Sequence, residues 1–316
     1  MKNKKRGKKE KGIKAQLPAF AWIFSIIIGA VILFFAFFFV TQYGKQVAEP
    51  TRAAGIESGI AILLEPFAAV GSLVEAQGSI LEFPAGSYIE FGCNIDNDYS
   101  EIKARNIKEK TFSLTKKVYD KYLFSQPITT RNKAKLFAFS MPIKEPFYIA
   151  TPIVIVNGKY CFSSLPLQYK NTLEKISEKI NETDSAFNFT SCPSGYIQVN
   201  IDWCDSACNY GYIGKKYWFG DLIFPAIFSD ELTYNCNLDR MLEREKVLIS
   251  IYKKKVENLG NKGCPTAGMS SALDNFKTQV DNFQKNKNIN NLASLYNSIK
   301  QIENLNAGLP SDCKII

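Results

Sequence analysis

The 316-residue chain contains no histidine. That absence excludes the Ser-His and Cys-His catalytic mechanisms and every zinc site with a histidine ligand. It also removes the side chain that most often exchanges protons near neutral pH. A glycine-rich phosphate loop, a dinucleotide-binding fingerprint and a G-x-S-x-G nucleophile motif are absent from the sequence as well. We therefore expect a protein that is not an enzyme, with no catalytic residue, no metal site and no cofactor.

An excess of positive charge is nearly absent outside the N-terminus, although the net charge of the whole chain is +9. Eight lysines and arginines and one glutamate lie within residues 1–14, and the remainder of the chain is close to neutral. A nucleic-acid-binding domain would instead carry clustered cations on its folded part. We therefore expect no nucleic-acid partner and interpret residues 1–16 as a basic cytoplasmic tail or leader.

Charge is missing altogether from residues 17–40. A helix of that length extends roughly 36 Å, which is enough to cross a bilayer. More cations precede this run than follow it, so the positive-inside rule places the N-terminus in the cytoplasm. The sequence thus predicts a transmembrane helix over residues 17–41. The localisation that follows is a single-pass protein of the cell membrane with an extracellular C-terminal domain.

Small residues recur every four positions inside the predicted span, at Ala21, Ser25 and Gly29. They share one face of a helix, and small side chains allow two membrane helices to approach closely. The stripe predicts helix–helix association through the span. Small residues are also common in membrane helices in general, which is the alternative interpretation.

All eight cysteines follow the predicted span. An even number on the outer side indicates disulfides formed in an oxidising compartment. The spacing does not reveal the pairing, and the CxxxC pair at Cys204 and Cys208 lacks the partners of a zinc site. The candidate disulfide residues are Cys93, Cys161, Cys192, Cys204, Cys208, Cys236, Cys264 and Cys313.

Two N-glycosylation sequons begin at Asn181 and Asn188. Such triplets also arise by chance. They are compatible with an extracellular surface and indicate little more.

The region between the span and residue 230 is predicted to be mainly β. Residues 42–78 form a linker and a juxtamembrane helix from about residue 53 to 76, kinked at Pro66. Within residues 79–230, Ile153–Val156 and Lys159–Phe162 flank Asn157-Gly158, which predicts a two-residue hairpin. The alternation from Ile197 to Trp203 predicts one strand with a buried face. A short helix is expected over residues 166–180.

Residues 231–316 are predicted to be helical. Asn237 is expected to cap a first helix that ends before Gly260. Ser271 with Asp274 predicts the start of a second helix, and a third begins at Ile289 to complete a helical hairpin. The predicted fold class is α+β. It comprises an N-terminal transmembrane helix and a disulfide-stabilised ectodomain with a mixed or antiparallel sheet and a C-terminal helical part.

Three further motifs have compositions that are compatible with a binding site. Residues 96–101 cluster oxygen ligands that suit calcium, but they lack the glycine and distal glutamate of an EF-hand loop, which favours a polar turn. The aromatic residues between Tyr210 and Phe219 could line a pocket, although packing is the more common role. The run Lys253–Lys255 is interpreted as the solvated face of a helix.

The N-terminus resembles the class III signal of archaeal type IV pilin-like proteins. Lys14, Ala15 and Gln16 match the positions around the cleavage site of that family. The resemblance implies that a membrane peptidase cuts between Ala15 and Gln16 and that the helix is retained. The fifth residue after the cut is usually glutamate in the family and is Phe20 here. The whole chain is also similar to single-span surface proteins of archaea.

Three functions are compatible with these features. The leading hypothesis is a membrane-anchored extracellular surface protein that acts by protein–protein interaction in the envelope, for instance as an accessory component of a pilus-like or secretion assembly. The alternative is an anchored binding module for a solute, a glycan or a host surface, which a pocket lined by aromatic residues would favour. A histidine-free enzyme would require a pair of buried carboxylates in a cleft.

Overall fold

The computed structural model describes residues 28–35, 77–83, 85–131, 134–178 and 186–316. Residues 28–35, within the predicted span, form a helical segment (α1) with exposed apolar side chains such as Leu33 and Phe34. None of the helices in these ranges is both long enough and apolar enough to pass through a membrane. Several predictions lie outside the described residues: the cleavage pair Ala15 and Gln16, the stripe residues Ala21 and Ser25, the juxtamembrane helix and Asn181.

The described residues from Gln77 onward belong to one compact unit. Its strands are β1 (Gln77–Phe83), β2 (Ser87–Asn94), β3 (Tyr99–Asn106), β4 (Leu114–Tyr119), β5 (Leu123–Phe124), β6 (Ile128–Thr130), β7 (Ala134–Ser140), β8 (Ile143–Lys144), β9 (Tyr148–Ala150), β10 (Ile153–Val156), β11 (Tyr160–Phe162), β12 (Phe187–Asn188), β13 (Ile197–Val199), β14 (Trp203–Cys204), β15 (Tyr210–Ile213) and β16 (Lys216–Phe219). Its helices are α2 (Leu167–Glu178), α3 (Ile223–Phe228), α4 (Glu231–Asn261), α5 (Ala267–Lys285) and α6 (Ile289–Ala307).

Two four-stranded sheets form the β part of the core. The first has the order β1-β7-β10-β5, in which only β10 and β5 are parallel, and the second is the antiparallel sheet β4-β3-β2-β6. Apolar residues from both sheets, including Ile89, Ile102 and Ile153, share one buried cluster. The two sheets therefore pack as a sandwich.

The first sheet is the middle layer of the domain. Ile153 and Ile155 of β10 lie in the cluster between the sheets, whereas Val154 and Val156 lie in a larger cluster with α3 and α4. Successive side chains of a strand point to opposite faces. Because both faces of β10 are buried, its sequence is a continuous run of apolar residues and does not alternate with polar ones.

The predicted hairpin at Asn157-Gly158 is wrong. β10 pairs with β5 and β7, whereas β11 pairs in parallel with β12 and β13. Gly158 does adopt a positive φ of 103°, as the turn chemistry requires. The turn is thus correctly located, but the two strands that flank it belong to different sheets. Both faces of β10 are buried, and β10 pairs with β5 and β7 instead of β11.

The predicted strand from Ile197 to Trp203 is also wrong. The chain forms β13 and β14 instead, and these pair in two different three-stranded sheets, β12-β11-β13 and β14-β15-β16. Ile197 and Trp203 are 45% and 41% exposed, so the alternating apolar residues do not form a buried face. The alternating pattern is therefore produced by two short strands that pair with different neighbouring strands.

The helical prediction is confirmed in outline and corrected at its boundaries. α4 begins at Glu231, where Asp230 Oδ1 accepts a hydrogen bond from the Thr233 N–H at 2.9 Å. The predicted cap Asn237 is instead buried inside the helix and donates to the Leu123 carbonyl at 2.8 Å. α4 ends at Asn261, whereas the sequence predicted an end before Gly260.

The start predicted for the second helix is likewise wrong. α5 begins at Ala267, four residues before the predicted start at Ser271, so Asp274 lies inside the helix and forms no capping box. α6 begins at Ile289 as predicted, and Asn288 caps it. α5 and α6 pack against each other across a short connection, which confirms the helical hairpin.

The polar motif at residues 96–101 is a turn between β2 and β3. Asp98 bonds to Arg240 of α4, whose Nε and Nη2 both lie 2.9 Å from the Asp98 Oδ1. The Arg240 guanidinium also donates to Ser100 Oγ at 2.9 Å and lies 4.6 Å from the ring of Tyr122. Within the described part of the chain, no acidic or cysteine cluster could hold a metal ion. Asp98 thus connects this turn to α4 through Arg240.

All eight cysteines form disulfides, which confirms the prediction from their number and position. The pairs are Cys93–Cys236, Cys161–Cys192, Cys204–Cys208 and Cys264–Cys313. The first joins β2 to α4, and the last joins the connection before α5 to the C-terminal turn. The α+β class with a disulfide-stabilised domain is thus confirmed, and the predicted parts 79–230 and 231–316 share one core.

Candidate functional site

A polar pocket of about 240 Å³ lies where five distant parts of the chain meet. These parts are the segment after β8, the start of α2, the loop before β15, the turn after β16, and α6. Only the fold brings them together, so no local sequence motif marks the site. The lining residues are Glu145, Gln168, Tyr169, Thr172, Asn209, Gly220, Asp221, Tyr296 and Lys300.

The carboxyl group of Glu145 forms part of the pocket wall. It occupies the space where a side chain at Gly220 would lie, and Gly220 has a φ of +51°, so a larger residue there would displace the Glu145 carboxyl and strain the backbone. Glu145 Oε2 is buried and has no hydrogen-bond partner among the described residues. Burial raises the pKa of Glu145 to about 8, an effect that Lys300 opposes and Asp221 reinforces. The carboxyl is therefore mostly protonated near neutral pH.

Asp221 supplies a second carboxyl to the same pocket. It lies in the short 3-10 turn Gly220–Leu222, directly after β16. Burial raises its pKa above the ordinary value. The pocket thus contains the pair of partly desolvated carboxyls that a histidine-free site would need for acid–base chemistry.

Lys300 and Tyr296 come from α6, four positions apart and therefore on one helix face. Lys300 Nζ lies 2.7 Å from Glu303 Oε2 and 5.0 Å from the centroid of the Tyr296 ring. Burial lowers the pKa of Lys300, but the hydrogen bond and charge of Glu303 outweigh it and the net change is upward. The lysine is therefore charged, and its charge already has a partner.

A small disulfide loop holds one wall of the pocket in place. At the loop closed by Cys204–Cys208, Asp205 Oδ1 accepts the N–H groups of Asn209 at 2.5 Å and Tyr210 at 3.2 Å. The Cys208 carbonyl accepts a hydrogen bond from the Tyr169 hydroxyl at 2.9 Å. These contacts connect the loop that carries Asn209 to the helix that carries Tyr169.

A further carboxyl, that of Glu245 on α4, is fully buried and interacts electrostatically with Glu145. It is 1% exposed, and neither of its carboxyl oxygens has a hydrogen-bond partner among the described residues. Burial raises its pKa well above the ordinary value, and the charge of Glu145 raises it further. Ionisation of either glutamate therefore opposes ionisation of the other.

The aromatic cluster between Tyr210 and Phe219 is part of the core rather than the pocket. Trp218 is fully buried and Phe219 is 2% exposed, and both belong to the main apolar cluster. Tyr210, Tyr212 and Tyr217 are partly buried in the sheet formed by β14, β15 and β16. The interpretation of this cluster as packing is supported, and the pocket uses two other tyrosines.

The remaining predicted positions lie away from the pocket lining. Asn188 is half-buried in β12, and its Oδ1 accepts hydrogen bonds from the backbone and hydroxyl of Thr190. Gly29 lies in α1, where an added Cβ would meet nothing within 4 Å. Lys253 pairs with Asp274 at 2.7 Å on the exposed side of α4, as expected for a solvated face.

Sequence reasoning missed all of the pocket residues, although two acids left a signal. Asp221 is the only charged residue between Tyr217 and Phe228 in an otherwise apolar run. Glu245 falls on the α4 face defined by buried Leu238 and Leu242. A charged residue in either position indicates burial.

Comparisons of this chain with protein-family models, with curated proteins and with solved structures give no match. The assignment of function therefore depends on the chemistry of the pocket and on the anchoring pattern of the sequence.

Proposed function

We propose that this chain is a membrane-anchored surface protein whose extracellular domain binds a small polar solute or the terminal sugar of a glycan. The observation that carries this proposal is the pocket between β8, α2 and α6. Its volume of about 240 Å³ is below the range of about 300–1,000 Å³ that holds drug-sized ligands. A ligand the size of a monosaccharide or an amino acid suits such a pocket.

The anchored, extracellular placement has separate support. The described part of the predicted span is helical, and its side chains are apolar and exposed, with Leu33 at 72% and Phe34 at 69%. Exposed apolar helices favour lipid or other apolar surroundings. Four disulfides that use every cysteine favour an oxidising compartment. The basic residues 1–14 favour a cytoplasmic N-terminus.

The test of solute binding uses a matched pair of glycine variants. Gly220→Ala places a Cβ against the Glu145 carboxyl and should abolish the rise in melting temperature that a ligand causes. Gly214→Ala is the control, because its φ of +61° imposes similar strain while an added Cβ would meet nothing within 4 Å. The full chain in mild detergent is screened by thermal shift against monosaccharides and amino acids.

Three outcomes of that screen are informative. A stabilising compound that keeps its effect in Gly214→Ala and loses it in Gly220→Ala supports the proposal. A screen without a stabilising compound contradicts it. Conversion of the compound into a product would instead show that the carboxyl pair acts as a catalyst.

Protein–protein interaction is the second candidate function. Val247 and Ile251 are 60% and 56% exposed at adjacent turns of α4. Both are β-branched residues, which a helix disfavours, and neither is buried by the described part of the fold. A contact with another envelope protein would give them a role, as in an accessory component of a pilus-like or secretion assembly.

Native mass spectrometry of the membrane-extracted protein tests this second function together with the leader. We expect a co-purifying protein partner and a chain that lacks residues 1–15. Val247→Glu should remove the partner, whereas Lys277→Glu, an exposed change on α5, should not. A chain that is always found alone counts against the interaction, and an intact N-terminus counts against pilin-type processing.

A further inference from the structure

We infer that the pocket selects ligands that carry an ammonium group. This inference rests on the proposed solute-binding function and specifies its ligand class. The shared chemistry includes small free amines and the lysine side chain of a protein partner. Charge, hydrogen-bond capacity and proton exchange in the pocket all favour this class.

The charges around the pocket are unequal. Two carboxyl groups, those of Glu145 and Asp221, line it, and among the described residues the only cation that lines it is Lys300. The Lys300 ammonium lies 2.7 Å from the carboxylate of Glu303, which does not line the pocket, so its positive charge is already balanced. When the two carboxyl groups are ionised, their negative potential favours a cationic ligand, whereas an anionic ligand would meet both carboxylates and a lysine that is already paired.

The hydrogen-bonding groups of the wall are mainly acceptors. The amide nitrogen of Gln168 is directed to the Cys208 carbonyl at 3.4 Å, and that of Asn209 is directed to Asp205 Oδ2 at 3.4 Å. Each amide group thus uses one of its two N–H bonds inside the protein, and its oxygen remains available as an acceptor for a ligand. The Tyr169 hydroxyl uses its hydrogen on the Cys208 carbonyl, which leaves its oxygen as an acceptor too.

An ammonium group is the ligand counterpart of such a wall, because it has three donors and no acceptor. A neutral polyol supplies an acceptor with every donor, and several donors in this wall are already used within the protein.

Glu145 links binding to pH. An ammonium that enters the pocket interacts with the ionised carboxyl, so binding displaces the proton that burial holds on Glu145. The charged groups that act on this carboxyl are Asp221 in the turn after β16, Lys300 and Glu303 on α6, and Glu245 on α4. Ammonium affinity should therefore increase from pH 6 to pH 9, a range in which an aliphatic amine stays protonated.

The experiment compares amines with neutral analogues of the same size. Ethanolamine is paired with ethylene glycol, and N-acetyl-lysine methylamide is paired with N-acetyl-norleucine methylamide. Binding to the oxidised full chain in neutral detergent is followed by ligand-observed NMR at pH 6 and pH 9. We expect at least one amine to bind about tenfold or more tightly than its analogue, as charge-assisted hydrogen bonds would require.

Two variants locate the effect. Glu145→Gln should remove both the preference for the amine and its pH dependence, whereas Glu257→Gln, an exposed change on α4, should preserve them.

The two pairs of probes distinguish the possible ligands. Preference for ethanolamine identifies the ligand as a small free amine, and preference for the lysyl probe identifies it as a lysine side chain of a protein. Equal binding of each amine and its analogue overturns the ammonium inference and leaves solute binding intact. Failure of these probes together with the thermal-shift screen overturns both.

Discussion

Replacing Cys93 and Cys236 by serine together should lower the free energy of unfolding by about 4–5 kcal/mol. The pair spans 143 residues, and a cross-link that closes a loop of about 100 residues contributes about 4.7 kcal/mol by restricting the unfolded chain. Other disulfides inside the loop shorten its effective length, but the dependence on length is logarithmic. Urea unfolding of the oxidised full chain, followed by tryptophan fluorescence, measures the change.

The control is the corresponding double serine variant of Cys204 and Cys208. That pair spans only four residues, so the same relation gives about 2 kcal/mol. Equal losses in the two variants would contradict the loop-entropy explanation. Because the short bridge supports the loop that carries Asn209, its removal should weaken ligand binding even though its effect on stability is smaller.

Glu245→Gln should make the domain more stable at pH 8 and reduce the dependence of stability on pH. The carboxyl of Glu245 is buried without a hydrogen-bond partner among the described residues. Its ionised form is therefore strongly disfavoured in the folded state. At pH 8 we expect the variant to gain about 2 kcal/mol or more, since an uncompensated buried charge costs several kcal/mol.

The direction of the pH effect follows from the number of protons bound in each state. In the unfolded chain, Glu145 and Glu245 lose their protons near the ordinary glutamate pKa of 4.5, whereas folding raises both pKa values and brings that of Glu145 to about 8. Between these limits the folded state binds more protons, so stability falls as the pH rises. A difference of one pKa unit between the folded and the unfolded state changes the free energy of unfolding by up to about 1.4 kcal/mol.

Lys216 acts at higher pH. Burial lowers its pKa to about 8, so its contribution to stability changes only around and above that value. The dependence of stability on pH below that value therefore comes from the carboxyl groups with raised pKa values, which are those of Glu145, Glu245 and Asp221.

The measurement is a series of urea unfolding curves between pH 5 and pH 8. At pH 5 the variant and the original chain should have similar stability, because both side chains are uncharged in the folded state there. Glu257→Gln serves as the control and should keep the full pH dependence. An unchanged slope in Glu245→Gln would show that Glu245 is ionised in the folded protein or is hydrated.

The class of the fold was predictable because it depends on local patterns. The amphipathic spacing from Leu273 to Phe283 and the apolar positions from Ile289 onward predicted that two helices exist there, although the start of the first was wrong, since helix periodicity acts within a few residues. The number of cysteines predicted disulfides in the same way. Strand partners were less predictable, because β10 and β11 are adjacent in sequence and their pairing is decided by burial against distant segments.

The pocket was not predictable from the sequence. Glu145 has no feature in its local sequence that distinguishes it from an exposed glutamate, and its environment is created by Gly220, Asp221 and Lys300. The helix start at Glu231 shows the same limitation on a smaller scale. Asp230 and Asn237 are both good capping residues, and only the contact of Asn237 with Leu123 shows which of them lies inside the helix.

The arrangement of the disulfides has a consequence for resistance to proteases. Between Cys93 and Cys313, every peptide bond lies inside a disulfide loop except those between Cys236 and Cys264. That exception is almost entirely within α4, where a regular helix protects the backbone from cleavage. A single cut elsewhere in this region leaves both fragments covalently joined. A protease that cuts this region once outside α4 would thus not release any part of it.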